Sequence, residues 1–176
     1  MVVRNLITEI SLDERVRRVN ELDLGPIKFK LVHEDGRAGL NASLVDLVEI
    51  EYKRFLVLNL KSHASGLKRS IVPTKPVDTF WHAHILDTEK YGIDCEFCLG
   101  FFLHHFPYLG LRGPADAQTL RDLFRESQDY YLAEFGAPLI TGNSAADCDG
   151  SDCAPEPSCS GEPDPRVMTR QRPVYA

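Results

Sequence analysis

Between Asp78 and His105 the chain sets His82, His84, Asp87, Asp94, Cys95, Cys98 and His104 among aromatic side chains. The surrounding stretch, Pro73 to Gly113, holds four of the six histidines, the only tryptophan and two of the five cysteines. Imidazole nitrogen, carboxylate oxygen and thiolate sulfur together suit zinc, and histidine with carboxylate alone suits iron. Polar ligands interleaved with aromatics imply a site held in an apolar pocket.

Spacing limits how these groups can meet. On one unbroken helix from Val77, turning 100° per residue, His84, Asp87, Tyr91, Asp94, Cys95 and Cys98 share a face, with Asp78 and His82 opposite. His84 and Cys95 would then lie about 16 Å apart along the axis, too far for ligands of one ion. A site therefore requires a break, expected near Tyr91-Gly92 because glycine tolerates helix-end conformations. His104 and His105, just before Pro107, would close it from a second turn. Asp78, four residues before His82, is placed to orient that imidazole, and Tyr91 to donate a hydrogen bond or ligate. Other readings stay open: a buried network of histidines bonded to carboxylates, or chance clustering. Cys95-x-x-Cys98 is weak evidence of redox chemistry, because no strand precedes it.

The elements that must position these groups read as helices. Ser11 with Glu14 forms a capping box before Leu12, Val16, Val19 and Leu22, a helix expected to run through Asp23 and end at Gly25-Pro26. Ile27 to Val32 alternates like a strand as much as it repeats like a helix, and with no strand partner in view it is expected to be a short helix closed by Asp35-Gly36. Asn41 would cap a long helix from about Ala42 to about Ser62. Pro114 suits the first turn of a last helix, with Leu120, Leu123, Phe124, Tyr131 and Phe135 as its apolar stripe and Gly136 as its stop. The sum is an all-α bundle of four to five helices over residues 1–140, followed by a disordered tail, 141–176, with five of the eleven prolines.

The 176 residues, 43% hydrophobic and 26% charged, suffice for one core. A net charge of −6 argues against nucleic acid as a partner. No run is long and apolar enough for a membrane span, and the amino terminus lacks a secretory h-region, so a cytoplasmic location is expected. In the tail, Cys148, Cys153 and Cys159 stand among aspartates, which raise thiol pKa values unless a cation neutralises them. The tail could hold a soft metal, serve a modifying enzyme as substrate, or do neither.

The run Val77-Asp78-Thr79-Phe80-Trp81-His82-Ala83-His84-Ile85-Leu86-Asp87-Thr88, with Tyr91, Asp94-Cys95, Gly100 and Phe102 to Tyr108, resembles the signature of the glycine-rich domain-containing protein-like family. The likeness covers about Ser43 to Gly113, and Tyr52 to Leu56 looks like that family's earlier helix. It implies a domain with short bacterial members and larger plant members linked to stress and growth responses, and it names no activity. It directs attention to His82, His84, Asp87, Cys95, His104 and His105, the positions that match the motif. Cys98 falls outside the pattern, and with 12 glycines the glycine-rich partner segment is not in this sequence.

The resulting expectation is a helical domain that binds zinc or iron through a subset of those six residues and is either a metal-dependent enzyme or a binding protein. Its competitors are an interaction module whose histidine and aromatic cluster is core, and a metal-delivery protein that also uses the tail thiols.

Overall fold

The computed structural model describes residues 10–33, 42–67 and 69–141. Six α-helices and one π-helical turn make up the fold, with no strand among the described residues. They are α1 (Leu12–Asn20), α2 (Gly25–His33), α3 (Ala42–Ala64), α4 (Lys75–Leu86), α5 (Thr88–Asp94), the π turn (Cys95–Leu99) and α6 (Pro114–Phe135). None of these helices is long and apolar enough to cross a membrane. The cap expected at Asn41, the turn at Asp35-Gly36 and the tail from residue 142 lie outside the described residues.

Local chemistry sets most of the boundaries. Ser11 accepts the Glu14 N–H and starts α1 as its spacing predicts. That helix stops at Asn20 rather than Asp23, and Gly25-Pro26 begins α2 instead of ending α1. The reason is that the Asp23 carboxylate accepts the Gly25 N–H, and proline lacks the N–H that a first turn leaves unpaired anyway. Pro114 and left-handed Gly136 bound α6 as expected.

The long helix α3 is the hub, touching α1, α2, α4 and α6. Its Val48, Tyr52, Phe55 and Leu56 are buried with Val19 and Leu24, Ile27 from α2, and Phe80 and Trp81 from α4. A smaller cluster of Val72, Leu120 and Phe124 seats α6. Glu51, also buried on α3, accepts hydrogen bonds from the Ile140 and Thr141 backbone N–H groups, which ties the end of the described chain to the hub.

The break that brings the histidine-rich stretch together comes at Asp87, not at Tyr91-Gly92. Asp87 leaves helical geometry at ψ 73°, donates its N–H to the His84 carbonyl, and accepts the Lys90 N–H on its side chain. It ends one helix and caps the next, so Gly92 sits inside α5, where a side chain would meet nothing within 4 Å. A second break follows at Gly100, left-handed at φ 76°, whose N–H closes the π turn onto the Cys95 carbonyl.

Candidate functional site

α4 sends its polar groups in two directions. Asp78 and His82, one turn apart, face a loop that follows the π turn, while His84 points into the core. The loop lies against α4 through a chain of bonds. Trp81 Nε1 donates to the Tyr91 hydroxyl over 2.9 Å, and that hydroxyl donates to the Leu103 carbonyl. Trp81 also packs edge-on against His105, with ring centres 4.7 Å apart. Farther on, the Asp116 carboxylate accepts the Gly110 and Arg112 N–H groups and the Arg112 guanidinium, fixing the loop where it enters α6.

The result is a cluster of Asp78, His82 and His105. The two Nε2 atoms are 3.1 Å apart, His105 Nε2 lies 3.2 Å from one oxygen of Asp78, and His82 Nε2 lies 3.4 Å from the other. One ligand atom from each residue lies within 4.8 Å of the others. Nitrogens so spaced would subtend roughly 95° at an ion about 2.1 Å from each, between octahedral and tetrahedral angles. Two neutral imidazoles bond each other through their Nε2 atoms only when one of the two carries its proton there and the other does not. A divalent cation satisfies both nitrogens and the carboxylate at once. The His82 side chain is 50% exposed against 12% for Asp78, so the cluster opens to solvent on the His82 side.

His84 belongs to a different network. Its Nδ1 meets the Tyr52 hydroxyl at 2.9 Å and its Nε2 meets Asp94 at 3.0 Å, with Lys90 completing the chain at 2.9 Å from Asp94. Burial pushes Tyr52 well above the ordinary tyrosine range, so its hydroxyl keeps its proton and can donate to Nδ1. With Asp94 on Nε2, both nitrogens of the ring are engaged. Burial alone would raise the Asp94 carboxyl, but hydrogen bonds from His84 and Lys90 hold it below its usual value.

Of the six residues singled out from the sequence, the structure brings His82 and His105 together and places the other four elsewhere. Asp87 is exposed and caps α5. His104 is exposed and lies tilted against Phe102, with ring centres 4.8 Å apart. Cys95 and Cys98 are free, buried thiols, and burial raises both, Cys98 to about 12. Asp78, read from its spacing as a partner that orients His82, lies inside the cluster itself, and its i, i+4 offset was the signal. Tyr52 and Lys90, which complete the His84 network, carried no such signal, since they lie on helices whose pairing with α4 is a tertiary fact.

A family model described as UCP032817-like matches residues 14–130. No curated protein and no solved structure matches the chain. The family match corrects the resemblance to the glycine-rich domain-containing protein-like family. That resemblance covered about Ser43 to Gly113, from α3 to the loop before α6. The match runs instead from α1 into α6 and takes in all three residues of the Asp78, His82 and His105 cluster. This chain belongs to the UCP032817-like family.

Proposed function

We propose that the domain binds a divalent transition metal, zinc or iron, through Asp78, His82 and His105. The observation that carries the reading is the approach of two imidazole Nε2 atoms to 3.1 Å with a carboxylate bridging them. Two nitrogens and one oxygen are donors that both ions accept. The Asp78 carboxylate and the Trp81 edge hold His105 in place, and the rigid i, i+4 offset on α4 holds the other two. Whether it acts as an enzyme or a binding protein depends on what reaches the ion.

The test is elemental analysis of the full chain purified without a nickel column, followed by zinc titration of the metal-stripped protein. One ion per chain is expected, with affinity reduced 100-fold or more, on the order of 3 kcal/mol, in His105→Ala and Asp78→Ala. A folded chain that takes up neither zinc nor iron would refute the reading. The interaction-module alternative has its own support in the His84 network, a satisfied histidine and aromatic core that requires no ion.

A further inference from the structure

We infer that the Asp78, His82 and His105 centre is an open one, which takes an exchangeable small anionic ligand at positions the protein leaves to solvent. The inference rests on the metal-binding reading and adds the ligand class. Among the described residues, no fourth histidine, cysteine, aspartate or glutamate donor joins these three. Structural zinc sites are closed by four protein ligands, whereas three leave a coordination position for water or substrate. The donors come from two elements only: Asp78 and His82, one turn apart, from α4, and His105 from the loop packed against it. The His82 side chain is half exposed, so the cluster meets solvent beside that ring.

Charge selects the ligand. A divalent ion with one carboxylate and two neutral imidazoles keeps a net positive charge of one. A monoanion with a hard donor atom, such as a carboxylate group or hydroxide, neutralises it. His84 adds nothing to this balance, because both its nitrogens are engaged in the core.

The experiment loads the stripped full chain with cobalt(II) and follows its visible absorption while azide, and in a separate arm acetate, is added. Binding of one anion per cobalt, seen as a saturable shift of the visible bands, is expected with both probes. The shift is expected to vanish in His82→Ala, whose half-exposed side chain can be removed with little loss of packing, and in His105→Ala. A chain that binds cobalt with bands that neither anion moves would overturn the open centre and leave metal binding standing. A chain that binds neither cobalt nor zinc would remove both. A shift that survives unchanged in both variants would place the anion on cobalt held elsewhere and defeat the assignment.

Discussion

Two histidines on one helix, His82 and His84, stand beside carboxylates and differ in what a substitution would cost. His84 is buried, and removing its ring leaves the Tyr52 hydroxyl without its partner inside the protein, while Asp94 keeps Lys90. An unpaired buried polar group costs about 1–3 kcal/mol, so His84→Ala is expected to lower unfolding stability by about that amount in urea titration. His82→Ala is expected to change stability by about 0.5 kcal/mol or less, because half its side chain already faces water. If the two variants unfolded at the same urea concentration, the division of α4 into a core face and a site face would be wrong. That division was legible in the sequence, since helical spacing alone sets Asp78 and His82 opposite His84. What spacing could not reveal was the partner of each face: residues far along the chain, Tyr52 for His84 and His105 for His82.

At the scale of elements, the turns decide which donors meet. Capping chemistry was readable wherever it used a familiar pattern, as at Ser11 and around α6 from Pro114 to Gly136. It was misread at Asp87, because an aspartate beside histidines looks like a ligand and the same residue is an efficient helix cap. The π turn was not legible, since a hydrogen bond that spans one residue more than in an α-helix leaves no composition of its own. Gly100 shows the constraint that ends it. At φ 76° a side chain is strained, and an added methyl group would lie 2.5 Å from the Arg15 guanidinium. Gly100→Ala is therefore expected to lose about 1–3 kcal/mol of stability and to shift the loop that carries His105, weakening zinc binding together with folding. Calorimetry and zinc titration on one sample check both halves, and unchanged zinc affinity would detach the loop from the site.

The same loop is held at its far end by Asp116, in the first turn of α6, and that contact carries a pH signature. Burial would raise this carboxyl, but the Arg112 guanidinium and the Arg112 and Gly110 backbone N–H groups together hold it below the ordinary aspartate value. A carboxyl with a lowered folded pKa adds stability above the unfolded value, near pH 4, and loses it as pH falls through the folded value. In unfolding curves recorded downward from pH 6, the wild type is expected to lose stability below about pH 4 more steeply than Asp116→Asn. Parallel curves would show that the Asp116 contacts do not survive in solution.

For the molecule as a whole, the sequence announced an all-helical domain because the apolar residues of α1, α3 and α6 repeat at helical spacing and no segment offered a strand partner. It could not announce which helix is central; that role fell to α3 because its apolar residues turn around the axis and meet α1, α2, α4 and α6 at once. Glu51 extends the hub's reach. Its carboxylate, buried at mid-helix, is satisfied by backbone N–H groups of residues 140 and 141, so the described fold closes on itself before the tail begins. Cys148, Cys153 and Cys159 lie beyond that point, outside the described residues. If the metal is held as proposed, every ligand comes from α4 and the loop before α6, and cutting the chain after Thr141 removes none of them. The truncated chain is expected to bind as many zinc ions as the full chain, at equal affinity within a factor of about two, or about 0.4 kcal/mol. Metal delivery through the tail thiols requires the opposite, a fall in zinc stoichiometry on truncation. Elemental analysis of both chains, stripped and reloaded side by side, separates the two.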